Sequence, residues 1–181
     1  MIYILVALES EFELPDIDFG KYAVCYTGVG KVNAAFAATK CGMQGNCERI
    51  INYGTAGALN KDLIGQLHEI GTVYQRDIDA RPLTPLGTTP YDKVGEAELK
   101  LSDNSVTLST GDNFVTSIPE IVTDLVDMEA YAIAKVCHKF TIPFTCVKYA
   151  SDFADENAAE HWKDNVAKGK QMFLDWLEKN T

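Results

Sequence analysis

The chain has 181 residues, 46% of them apolar, with 26 acidic against 16 basic side chains and a formal charge of −10. That balance excludes a phosphate-backbone binder, which needs clustered Lys and Arg, whereas the only arginines are Arg49, Arg76 and Arg81. No apolar run approaches the ~20 residues of a membrane span, and the length suits one soluble domain, 1–181, able to bury a core without disulfide or metal.

In chain order, residues 2–8 form an apolar, β-rich run that lacks a basic leader and turns acidic at Glu9. It reads as a buried first strand and not as a signal peptide. Strand 22–26 leads into the glycine turn Thr27-Gly28-Val29-Gly30-Lys31 and an Ala-rich helix over 31–43. Strand 49–53 leads into a second glycine turn, Gly54 to Gly57, and a further strand is expected at 68–74. Segment 77–100, with three prolines and little periodicity, reads as a long functional loop, a lid or an interface arm. Strand 106–110, helix 128–139, strand 144–149 and a last helix over 158–179 complete the order. In that last helix Trp162, Val166, Gly169, Phe173, Trp176 and Leu177 recur at steps of three and four. The alternation predicts a single α/β domain with a twisted, mixed, mainly parallel central sheet flanked by helices. The five cysteines are odd in number and show no CxxC spacing, so reduced thiols in a cytoplasmic protein are expected.

The glycine turns stand where an open α/β sheet binds ligands. Cys25, Val32 and Asn33 nevertheless rule out the Walker and dinucleotide fingerprints. Three acidic sites follow strands or open helices: Glu9 and Glu11, Asp127 and Glu129, and Asp152. Singly, each has an ordinary reading as a loop charge, a first-turn acid or an N-cap. If all three converge on one carboxyl edge of the sheet, they supply the paired carboxylates that glycosyl transfer requires, one protonated and one ionised. His68, His138 and His161 make no i, i+4 pair and read as structural or surface groups, so no metal is expected.

Six blocks then carry a resemblance. They are Ala7-Leu8-Glu9-Ser10-Glu11, the run from Gly28 to Ala35, Ile51-Asn52-Tyr53-Gly54-Thr55-Ala56-Gly57, Ser109 to Phe114, Val126-Asp127-Met128-Glu129-Ala130 through His138, and Ile142 to Asp152. In this order they resemble the purine nucleoside phosphorylase superfamily, and within it the 5′-methylthioadenosine/S-adenosylhomocysteine nucleosidases. The resemblance implies a nucleoside phosphorylase-like fold and a cofactor-free N-ribosyl hydrolase that releases a purine from its ribose. Asp152 would be the general acid, its pKa raised by the pocket, and Glu11 the base that activates water. Glu129 would hold the ribose hydroxyls with Met128 packed on the sugar. Phe114 would stack on the purine while the Val115 backbone reads its edge, and Ser151, Gly54 and Thr55 would complete the lining.

The related phosphorylases hold phosphate with arginines, one of them where Asn52 stands here, so water is favoured as nucleophile over phosphate. Phosphorolysis, another N-riboside, and a nucleoside-binding protein without turnover remain the alternatives. Two positions depart from the pattern. Lys148 replaces an Arg usual in the adenine-preferring members, and 76–83 matches only loosely in a region that often reaches a neighbouring subunit's site. The partners implied are a purine nucleoside and a second copy of the chain, with neither nucleic acid nor membrane.

Overall fold

The computed structural model describes residues 1–13, 17–92, 97–154 and 165–181. Strands β1 (Ile2–Val6) and β2 (Tyr22–Tyr26) are followed by helix α1 (Lys31–Gly42) and the long strand β3 (Arg49–Ala58). Then come β4 (Leu67–Glu69), β5 (Thr72–Gln75), β6 (Glu98–Lys100), β7 (Thr107–Thr110), β8 (Leu125–Asp127), helix α2 (Ala130–Phe140), β9 (Phe144–Phe153) and helix α3 (Lys170–Asn180).

The sheet is mixed and mainly parallel. β1 lies between β2 and β3, parallel to both; β3 runs parallel to β9, and β7 parallel to β5 and β8. The β3–β8, β4–β9 and β5–β6 pairs are antiparallel. These pairings close a ring that runs β3–β9–β4, bends through Ile70–Gly71 into β5, and returns through β7 and β8 to the end of β3. The bend requires glycine. A Cβ on Gly71 would lie 1.7 Å from the Asn104 carbonyl oxygen, and the Gly71 carbonyl accepts from Leu101 N at 2.7 Å.

β3 and β9 are buried along almost their whole length, as strands covered on both faces are, and the polar residues they carry, among them Asn52, Lys148, Ser151 and Asp152, are buried with them. α1 and α2 cover one face through Ala34, Ala38, Cys41, Ile133 and Cys137. On the other, Phe173 of α3 stacks on Tyr53 with ring centroids 4.1 Å apart, and Phe12 meets both rings edge-on.

The expected α/β fold is therefore present, with corrections to its elements. Gly54 to Gly57 is the continuation of β3, carrying an irregularity between Ala56 and Gly57, and is not a turn. Residues 68–74 form two strands because the Gly71 bend separates β4 from β5. β6 and β8, three residues each, were not anticipated, and β6 lies within the expected loop 77–100. Ser151 and Asp152 belong to β9 and do not follow it. α3 begins at Lys170 after a turn at 166–169, whose Gly169 packs so tightly on Tyr149 that a Cβ would lie 2.5 Å from its Cγ. The start of the expected last helix, with His161 and Trp162, falls outside the described residues.

Candidate active site

The C-terminal ends of β1, β3, β7, β8 and β9 surround a cavity of about 280 Å³ lined, among others, by Glu11, Thr55, Gly57, Arg76, Phe114, Val115, Met128, Glu129 and Asp152. The three acidic sites expected from the sequence thus meet in one place, although they lie on three separate segments.

Glu11 ends a short 3-10 turn after β1 and is buried. Its Oε1 accepts from Thr55 N at 2.8 Å and Thr55 Oγ1 at 2.7 Å, and its Oε2 accepts from Leu8 N at 3.0 Å. Three donors make this an acceptor's environment, one that suits an ionised carboxylate. Gly54 permits the approach, since a Cβ there would lie 3.2 Å from Glu11 Oε1 and 3.5 Å from Lys148 Nζ.

Lys148, on β9, is 1% exposed and pairs with Asp127 Oδ2 at 2.9 Å. Burial alone would lower the ammonium pKa; the charge of Asp127, with those of Cys146 and Glu129, reverses this and holds it above its ordinary value. Asp127 has two further donors. Its Oδ2 also accepts from Ala130 N at 2.9 Å, capping α2, and its Oδ1 accepts from Thr110 Oγ1 at 2.5 Å. The ion pair therefore fixes the corner at which β8 hands over to α2, and Met128 and Glu129 occupy that corner.

Glu129 accepts from Gly30 N at 2.9 Å. Gly30 has φ +95°, a conformation that favours glycine, and through it the first glycine turn presents its N–H to the carboxylate. Burial, then the neighbouring Asp127, push the Glu129 carboxyl up to about 7, against the opposing pull of Lys148 and the Gly30 N–H. Asp152 lies beside Gly57 in the β3–β9 register and accepts from Ser151 Oγ at 2.5 Å.

Phe114 is half exposed at the rim. Val115 is buried against Val126 and Ala154. Every residue proposed from the sequence except Ser151 and Gly54 lines the cavity; those two lie directly behind it, against Asp152 and Glu11 respectively.

Sequence reasoning missed Arg76, which is buried and lines the cavity. Its Nη1 donates to Ser109 O at 2.7 Å and Asp127 O at 2.8 Å, and its Nη2 to Gly111 O at 3.2 Å and Asn113 O at 2.8 Å. Carbonyl partners leave no motif. The one available signal was an isolated arginine directly after a buried strand.

A family model described as the phosphorylase superfamily matches residues 9–178. The 5′-methylthioadenosine/S-adenosylhomocysteine nucleosidase of Staphylococcus haemolyticus is 31% identical, over 84% of this chain and 79% of its own length. That of a Marinomonas species is 31% identical over 76% and 71%. Among solved structures, futalosine hydrolase of Helicobacter pylori has a TM-score of 0.84 at 24% identity, covering 98% of this chain and 95% of its own. The same organism's 5′-methylthioadenosine/S-adenosylhomocysteine nucleosidase, in a mutant form with 5′-methylthioadenosine in the active site, has a TM-score of 0.83 at 22% identity, covering 98% of each chain.

Proposed function

The chain belongs to the phosphorylase superfamily, and from that membership we propose that it is an N-ribosyl hydrolase that cleaves a purine nucleoside, an adenosine with a 5′-thio substituent. The observation that carries the reading is the meeting of Glu11, Glu129 and Asp152 around one cavity. Cleavage of the C1′–N9 bond passes through an oxocarbenium-like state, and the base leaves once its N7 is protonated. Asp152 supplies that proton, steadied by Ser151. Glu11, held by Thr55 and Leu8, accepts a proton from the attacking water. Glu129 accepts from the ribose hydroxyls with Met128 against the sugar, and Phe114 and Val115 hold the purine.

Water fits this site better than phosphate. Glu11 repels an anion, Asn52 is engaged with the Leu5 and Tyr53 carbonyls, and Arg76 spends its Nη donors on main-chain carbonyls.

The same reading includes a cytoplasmic homodimer engaged in methionine salvage. Five free thiols support a reducing compartment. The exposed Val32 and Phe36 of α1, 79% and 73% accessible, support a self-association face. A monomer in sedimentation at micromolar concentration would remove the dimer from the reading.

The activity is tested by incubating the protein with methylthioadenosine, S-adenosylhomocysteine, futalosine, adenosine and inosine, with and without phosphate, and measuring free base. Release of base from methylthioadenosine without phosphate is expected, and strict phosphate dependence would overturn hydrolysis. Asp152→Asn is expected to lower base release about 10²–10⁴-fold with an unchanged circular dichroism spectrum; retained activity removes Asp152 from the acid role.

A further inference from the structure

We propose that Arg76 and Asp77 are positioning residues for the base: together they clamp the loop 111–113 that carries the Phe114–Val115 shelf. The inference rests on the reading that this shelf holds the purine.

The clamp begins as a continuation of the sheet. β5 pairs with β7 up to Gln75 and Thr110, and Arg76 N adds one more bond to Thr110 O at 2.9 Å. Beyond this point the two side chains take over, with opposite polarity. Arg76 takes the carbonyls of Gly111 and Asn113, and Asp77 Oδ2 takes the intervening N–H of Asp112 at 2.7 Å. Main-chain groups of three consecutive residues, Gly111, Asp112 and Asn113, are thus gripped by two adjacent residues. Gly111 lets the loop lie directly against the guanidinium, for a Cβ there would be 3.0 Å from Arg76 Cζ.

The clamp is also anchored. Lys31 Nζ pairs with Asp77 Oδ1 at 2.5 Å and reaches Asp112 Oδ2 at 3.8 Å. The Lys31 N–H donates to Asp112 Oδ1 at 2.7 Å, so a carboxylate from the base loop caps α1. Lys31 follows Gly30, whose N–H holds Glu129. Arg76 in turn grips the Asp127 carbonyl, two residues before Glu129. Base shelf and ribose carboxylate therefore share one frame.

The cost of this arrangement argues for a role beyond folding. A guanidinium removed from water and met by neutral carbonyls alone loses solvation that no contacting carboxylate restores, and burial lowers the Arg76 pKa accordingly. Among the described residues its Nε has no partner. At Asp77 burial pushes the other way, but Lys31 and the Asp112 N–H more than offset it and hold the carboxyl below its ordinary value.

The test compares Asp77→Ala, Asp77→Asn and Arg76→Lys in the full chain, reading adenine affinity by calorimetry, KM and kcat with methylthioadenosine, and thermal midpoint. Asp77→Ala is expected to weaken adenine binding and raise KM, each about tenfold, for the loss of its charge-assisted bond to Asp112 N together with the Lys31 pair that anchors it, with kcat within about threefold. Asp77→Asn is expected to recover most of this, since its amide oxygen still accepts from Asp112 N. Arg76→Lys, which keeps the charge and loses the fork, is expected to lose at least as much as Asp77→Ala. Adenine affinity unchanged in Asp77→Ala, or an Asn variant no better than the Ala variant, overturns the clamp. Failure of the underlying reading looks different: wild-type protein that releases base from no nucleoside, while adenine affinity still falls in the Ala variant and returns in the Asn variant.

Discussion

The two halves of the cavity are built by opposite means. On the side proposed to take the sugar the polar groups sit on strands or directly at their ends, deeply buried, with Lys148 and Asp127 as a closed ion pair beside Glu11 and Glu129. On the side proposed to take the base the surface is a loop whose aromatic residue is half exposed and whose main chain is held by Arg76 and Asp77. The difference teaches that charge placement is tied to global stability in one half, whereas in the other recognition can be altered while the core stays intact.

Substitution can break that comparison. The largest effect is expected from Lys148→Met, which strands the buried Asp127 carboxylate and should cost about 3–5 kcal/mol of folding free energy in urea denaturation. A variant as stable as wild type would show that the sugar side is not tied to the fold. Phe114→Ala should weaken adenine binding by about 1–3 kcal/mol, the range for stacking of a base on an aromatic ring, while leaving the denaturation midpoint in place. A large loss of stability there would erase the distinction between the halves.

Next in size is a pH effect belonging to the sugar side. Glu129 is raised to about 7 from its ordinary value, so its protonated form is favoured in the folded state. Its contribution to stability is complete below the unfolded value, about 4.5, and is lost as pH rises through 7. On the proposed reading Glu129 accepts from the ribose hydroxyls in its ionised form, so kcat/KM should climb with a one-proton slope up to about pH 7. A flat profile between pH 5.5 and 8 would contradict this. The smallest effect is expected at the exposed Arg81–Asp79–Glu120 cluster, where Arg81→Gln should leave both melting temperature and kcat/KM within measurement error.

Much of this is legible in the amino-acid sequence. The apolar runs of β1, β2 and the start of β3 and the Ala-rich α1 are patterns that local chemistry dictates, whereas the acids at 11, 129 and 152 each have an ordinary local reading and are singled out by the resemblance. What was misread had a physical cause. Gly54 and Gly57 look like turn residues, yet they stand within a strand against which Glu11 at one position and Val126 and Ala154 at the other pack closely. β8 is three residues long and buried by its neighbours, too short for periodicity to register. The arginine at 76 was counted only towards a shortage, because its partners are backbone atoms, which sequence does not display.

The position of β9 has a consequence for how the molecule comes into being. It lies between β3 and β4, two strands made long before it, and it carries both Lys148 and Asp152. A growing chain that has emerged only as far as α2 has the rim of the cavity but neither Lys148 nor Asp152, and β3 and β4 wait with open edges. Closure is thus a late, long-range event in synthesis, of the kind that slows folding and leaves strand edges open to mispairing. Turnover begins only once that strand has slotted in.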